Sequence, residues 1–180
     1  MLRAFMSAAL FVFLVRALPC YAQTQAIPAA KGKALDDSEV VLPKPENQQL
    51  MILVLGFSHK SGDNCAPWGK HLAADYSSDL RVAHYQVPVL ASAPSFVRPM
   101  ILRGMRKNTP ASERGHFVPV YDHETDWKAL VSFSAPDDPH IIVAAADGRL
   151  LWQTHGNFGD SAHAELKTEI NKLAGNLPRQ

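Results

Sequence analysis

Cysteine is scarce in this chain: Cys20 and Cys65 are the whole supply in 180 residues. Two thiols so far apart exclude a small scaffold held by several disulfides. Charge of one sign is missing too, with 18 basic against 17 acidic residues and a formal net charge of +1. A chain balanced in this way, with no basic block, offers no electrostatic footprint for nucleic acid or anionic lipid. Nor does an apolar run reach the roughly 20 residues that a helix needs to span hydrocarbon. The Gly-x-Ser-x-Gly elbow, the phosphate loop and the His-Glu-x-x-His helix are all absent, and with them the hydrolase, nucleotide and zinc-protease chemistry they carry.

What is present is ordinary globular material, 47% apolar and 19% charged, which argues against disorder and suits one domain with a targeting segment. Residues 1–22 read as a signal peptide: Arg3 gives the positive start, Ala4 to Val15 the apolar stretch, and Leu18-Pro19-Cys20-Tyr21-Ala22 a small-residue cleavage site. Rival readings are a lipid-modified Cys20, against which Pro19 counts, and an uncleaved anchor or organellar presequence. Cleavage after Ala22 predicts an exported protein of the periplasm or cell envelope with no integral membrane domain. It also leaves Cys65 alone, so no internal disulfide can form.

Residues 23–33 read as a flexible leader, 34–176 as the domain and 177–180 as a tail. Val40-Val41-Leu42 suggests a short strand. Met51 to Phe57 is apolar without alternation, a central strand buried on both faces. The polar turn Ser58 to Asn64 then leads to a predicted helix start at Cys65, with Pro67 in its first turn and a stripe at Trp68, Leu72 and Tyr76. Arg81 to Leu90 is a second strand, Ser95 to Lys107 a helix, Phe117 to Tyr121 a short strand broken by Pro119, and Glu124 to Val131 a short helix. Asp147-Gly148 between two apolar runs is a hairpin signal. Ser161 to Leu173 closes as an amphipathic helix, with Gly175 expected just past its end. Alternating strands and helices followed by a hairpin predict an α/β fold with a central mixed sheet and helices on both faces.

That order, with a cysteine at the first helix and a proline before the hairpin, resembles the thioredoxin-like superfamily. Cys65-Ala66-Pro67-Trp68 looks like its Cys-x-Pro-Cys motif with Trp68 in place of the second cysteine. Pro139, in Asp138-Pro139-His140-Ile141, sits where these proteins place a cis-proline beside the site. Ala146 to Trp152 resembles the hairpin of the peroxiredoxin and membrane-anchored thiol–disulfide oxidoreductase branches. The Val-Leu-Pro segment before the core strand, Trp68-Gly69-Lys70 and Arg149 to Gly156 are similar to the mitochondrial ATP-synthase assembly factors of thioredoxin-like fold and their bacterial relatives. Those factors often lack the redox pair. The resemblance implies a groove between Cys65, Pro139 and a neighbouring strand edge that holds an extended peptide, with Pro67, Trp68, Asp138 and His140 as contacts.

The residues leave the chemistry open. A cysteine at a helix N-terminus has a depressed pKa and reacts, whereas a buried one is an inert small apolar residue. Dithiol turnover needs a resolving thiol that Trp68 does not supply. A one-cysteine peroxidase, or a reductase with an external resolving thiol, remains open through Cys65. Such a peroxidase wants Thr or Ser about three residues earlier, where Gly62 stands with Ser61 one further back, and an Arg for which Arg81, Arg98 and Arg103 are candidates. A copper-carrying thioredoxin-like relative would use two cysteines and a histidine, so Cys65 with His59, His71 or His155 falls one soft donor short of what that resemblance implies, and no metal or cofactor is predicted. The three tryptophans suit core packing, and Pro139 also suits a trans turn. The expectation is an exported thioredoxin-like protein with a degenerate redox site that binds protein partners in envelope folding or assembly.

Overall fold

The computed structural model describes residues 25–43 and 48–176; the expected signal peptide 1–22 and tail 177–180 lie outside the described residues. In chain order the elements are β1 (Ala30–Lys33), β2 (Glu39–Leu42), β3 (Leu50–Gly56), α1 (His59–Tyr76), β4 (Val82–Pro88), α2 (Arg98–Asn108), a 3₁₀ segment (Ala111–His116), α3 (Glu124–Leu130), β5 (His140–Ala145), β6 (Leu150–His155) and α4 (Asp160–Asn176).

Strand β3 is buried at every position, as its unbroken apolar run requires. It pairs parallel with β4 and antiparallel with β5, and β5 pairs antiparallel with β6, in the order β4-β3-β5-β6. The segment Phe117–Val120 runs parallel along the outer side of β4 through bridges Gln86↔Phe117 and Val89↔Val120. Pro119 has no N–H to give, which holds this pairing to separate bridges. Gly148, at φ +88°, makes the turn between β5 and β6 in the left-handed region that glycine enters without strain.

Alternation along β3 divides the interior into two layers. Met51, Leu53 and Leu55 face the β1–β2 hairpin and α3, packing with Leu42, Val118, Trp127, Leu130 and Ile142. Leu50, Ile52 and Val54 face α1 and α4, packing with Cys65, Trp68, Leu72, Leu166 and Ile170. The sheet thus has helices on both faces, as the sequence predicts.

Four local expectations are corrected. The leader does not run to Lys33: Ala30–Lys33 is β1, paired with β2, while Ile27 is buried and Ala26 bridges Arg149. The apolar partners Val40 and Leu42 on β2 explain why this polar-looking stretch is held. Helix α1 starts six residues early, at His59, because Ser58 and Ser61 form a capping box there. Gly175 lies inside α4, not beyond it. Among the described residues the cis peptide bond is Leu42–Pro43; Asp138–Pro139 is trans, the default isomer for an X–Pro bond.

Candidate functional site

The site region is built where β3 ends and α1 begins. Ser61 is fully buried. Its Oγ accepts from the Phe57 and Ser58 amides, each at 2.8 Å, and donates to the Ser58 carbonyl at 3.0 Å. The Ser61 amide in turn donates to Ser58 Oγ at 3.0 Å. A side chain at position 56 would meet Cys65 Sγ and Ser61 Oγ, each at 3.3 Å from its Cβ, so Gly56 lets the helix start sit close against the strand end.

The turn before β5 is tied to this helix start by one residue. Asp137 accepts from Ser58 Oγ at 3.0 Å and pairs with Lys60 Nζ at 3.2 Å, and its carbonyl accepts from Asn64 Nδ2 at 3.0 Å. The Ser58 hydroxyl first, then Lys60, hold its carboxyl below the usual carboxylate range. The expected neighbourhood of α1 and the Pro139 turn therefore exists, but Asp137, Ser58 and Asn64 make it. The Ser58-x-x-Ser61 spacing was the signal that could have found it.

Cys65 lies in the second turn of α1, away from the helix N-terminus, and is 5% exposed. The terminal half-charge acts within the first turn, so it gives this sulfur little. Sγ has one polar neighbour, the Leu55 carbonyl at 3.6 Å. Burial pushes the thiol up to about 12, with no cation opposing it. That is the reverse of an activated nucleophile, which needs its thiolate at neutral pH. Two of the three arginines considered for a peroxidase are engaged elsewhere. Arg81 pairs with Asp79 at 2.8 Å, and Arg98 donates to the Ala93 carbonyl at 2.9 Å and covers the Tyr121 ring at 4.8 Å.

Trp68, at the position of the resolving cysteine, is buried in the α1–α4 layer. Its Nε1 donates to the Gly156 carbonyl at 3.1 Å, and its ring meets Phe158 edge-on at 5.2 Å. The Gly156 amide donates to the Pro139 carbonyl at 2.9 Å. Trp68 thus positions the end of β6 beside the Pro139 turn and offers no surface to a partner. Pro139 is buried as well, while Pro67 is exposed.

His140 is buried on the other face of the sheet. It packs edge-on to Phe57 at 5.6 Å and tilted to Phe133 at 5.7 Å, and its Nε2 has no partner. Burial is the main force lowering its pKa, against a bond to the Ala135 carbonyl. Its neighbour across the strands, His155, reaches Asp138 Oδ2 through Nδ1 at 2.8 Å. Cys65 and His140, both expected at one groove, therefore point into different layers with the sheet between them.

The histidines considered for metal are dispersed. His59 pairs with Asp63 at 3.3 Å, His71 stacks on Phe158 at 4.1 Å, and His155 holds Asp138. Among the described residues no group of three or more His, Cys, Asp or Glu is placed to hold a metal ion. No helix among them is long and apolar enough to cross a membrane.

No protein-family model matches the sequence, and no curated protein matches it. Solved structures do match. BsSco, a member of the Sco family of cytochrome c oxidase assembly proteins, aligns with TM-score 0.57 at 11% identity, over 86% of this chain and 96% of that one. The pneumococcal exposed lipoprotein thioredoxin from Streptococcus pneumoniae aligns at 0.57 and 10%, over 79% and 99%. StoA from Bacillus subtilis aligns at 0.52 and 17%, over 78% and 97%. The strand order, the crossover helices and these alignments agree, and the chain has the thioredoxin-like fold.

Proposed function

We propose that this is an exported thioredoxin-fold protein that holds protein partners, in folding or assembly of envelope complexes, without thiol turnover. The observation that carries this reading is the state of Cys65: 5% exposed, pushed to about 12, and facing Trp68 where a second thiol would stand. A thiol enzyme needs a sulfur that substrate can reach and that ionises. Several structural neighbours are described as thiol–disulfide oxidoreductases or interchange proteins, and one as a cytochrome c oxidase assembly protein with a disulfide switch. The buried thiol favours an assembly role without such a switch here.

A partner surface is available beside the buried residues. Pro67 is exposed on α1, and Asp138 and His155 are partly so at the end of β6. Past Leu150, β6 has no strand on its outer side among the described residues. Backbone pairing of an extended peptide along such an edge needs no thiol. The expected contacts are therefore Pro67 and Asp138 with the β6 edge; Cys65, Trp68, Pro139 and His140 support them from beneath.

The test has two arms. Thiol titration of the folded protein should show Cys65 unreactive until unfolding, and peroxide oxidation should be no faster than that of a free cysteine. Partner capture by the Cys65→Ala variant should equal that of the parent. Rapid sulfenic acid formation abolished by Cys65→Ser would instead establish the one-cysteine peroxidase or reductase.

A further inference from the structure

Helix α2 differs from α1, α3 and α4. None of its residues is buried, and a cavity of about 400 Å³ lined by Lys33, Leu35, Leu102, Arg106 and Tyr121 lies between it and the β1–β2 hairpin. Between Leu80 and Ser112 the chain carries Arg81, Arg98, Arg103, Arg106 and Lys107 and no acidic residue; Asp79 pairs with Arg81 and Asp37 with Arg106, so the excess centres on Arg98, Arg103 and Lys107. The near-zero net charge of the whole chain conceals this local excess.

The cations of α2 divide by role. Arg98 binds the Ala93 and Ala91 carbonyls, and Arg106 binds the Leu35 carbonyl at 2.9 Å and Asp37 at 2.6 Å. These two fasten the helix to the body. Arg103 and Lys107 are exposed, on one stripe with Met100 and, in the turn before the helix, Phe96. Those apolar side chains are 69% and 83% exposed. Positions 100, 103 and 107 follow the spacing that keeps one helical face, and Phe96 precedes the helix by two residues.

We propose that this stripe docks the protein on an anionic bilayer surface, with Phe96 and Met100 entering the interface and Arg103 and Lys107 on the headgroups. Charge complementarity identifies the occupant as anionic. The shape favours a lipid surface over an acidic protein. Phe96 and Met100 stand 83% and 69% exposed, and a fluid interface accepts such projections without a matching pocket. Basic residues beside inserted aromatic and aliphatic side chains are the physical signature of an interfacial helix. This surface is separate from the β6 edge, so docking there leaves the partner face open.

Co-sedimentation with vesicles of phosphatidylcholine alone, or with a third phosphatidylglycerol, tests the proposal on the full chain. The apolar N-terminal segment is common to all variants and cancels in the comparison. The parent should bind the anionic vesicles more tightly and release in high salt. Arg103→Glu with Lys107→Glu should weaken that preference by about tenfold or more, and Phe96→Ser with Met100→Ser should lower binding at equal charge. All four positions are exposed, and circular dichroism checks that each variant folds. Equal binding to both vesicle types, or variants that bind as the parent does, would overturn the assignment. So would charge-reversal variants that keep vesicle binding but lose an acidic polypeptide such as polyglutamate, which would place a protein on this face.

Discussion

Trp68 and Pro139 are joined through a single residue, Gly156, whose carbonyl accepts from the indole at 3.1 Å and whose amide donates to the proline carbonyl at 2.9 Å. Gly156 has φ +124°, a backbone region open to glycine and strained for any other residue. Gly156→Ala should therefore cost about 1–3 kcal/mol, although no atom crowds the new methyl. Urea unfolding followed by tryptophan emission reads it, and an unchanged midpoint would show that the linkage bears little of the stability.

Placing a second cysteine at position 68 should not confer dithiol redox chemistry. Trp68→Cys removes a fully buried indole and leaves the Gly156 carbonyl without its donor, at a cost of about 3–5 kcal/mol. Cys65 stays beneath the surface in any molecule that still folds. The variant should show a large loss of stability and no disulfide reductase activity in an insulin-reduction assay; turnover at a dithiol enzyme's rate would refute this account of Cys65.

The capping box is testable one residue at a time. Ser58→Ala removes the Oγ that accepts from the Ser61 amide and donates to Asp137, and should cost about 1 kcal/mol. Ser61→Ala should cost more. It strips two half-buried amides of their acceptor, where the Ser58 variant loses one, and an orphaned buried group costs up to about 1–3 kcal/mol. Equal losses from the two variants, measured as urea midpoints, would contradict the assigned geometry.

Acid should weaken the fold in two stages. His84 and His140 are buried, and burial lowers the folded pKa of each. For His84 the neighbouring His116 adds to the shift and Glu113 opposes it. The unfolded chain then binds more protons than the native one as pH falls through about 6.5, so stability drops there. Asp36, Asp79 and Asp137 have carboxyls held below their ordinary value, and their contribution persists until pH falls below about 4. Unfolding midpoints should thus decline between pH 7 and 5, and His140→Gln should flatten that decline. A flat profile in the parent would refute it.

Much of the architecture was legible because it rests on local signals. The apolar run at Met51–Leu55 gave a central strand, Asp147-Gly148 gave the hairpin, and the element order gave the fold class. The helix boundary at Cys65 was misplaced because Pro67 reads as a first-turn proline, and the Ser58–Ser61 cap, two hydroxyls in a polar turn, looks like loop. Whether Cys65 reacts was not legible at all. Depth in a packed layer depends on distant parts of the chain, and the layer that holds Cys65 includes Leu166 and Ile170 of α4, a hundred residues away. The division of Cys65 and His140 between two faces is a matter of strand phase, and a pattern of neighbouring motifs does not reveal it. The charge on α2 was hidden by summing over the whole chain.

Ser61 and Cys65, one helical turn apart, face opposite evolutionary liberties. Ser61 uses its hydroxyl as both acceptor and donor, and no other side chain of that size does both from that place. Cys65 contributes volume to an apolar layer and a thiol with almost no audience. A saturation library screened for folding alone should hold position 61 to serine and let position 65 drift among alanine, valine and cysteine. That outcome would show a thioredoxin-like fold holding a sulfur at this position for its volume alone.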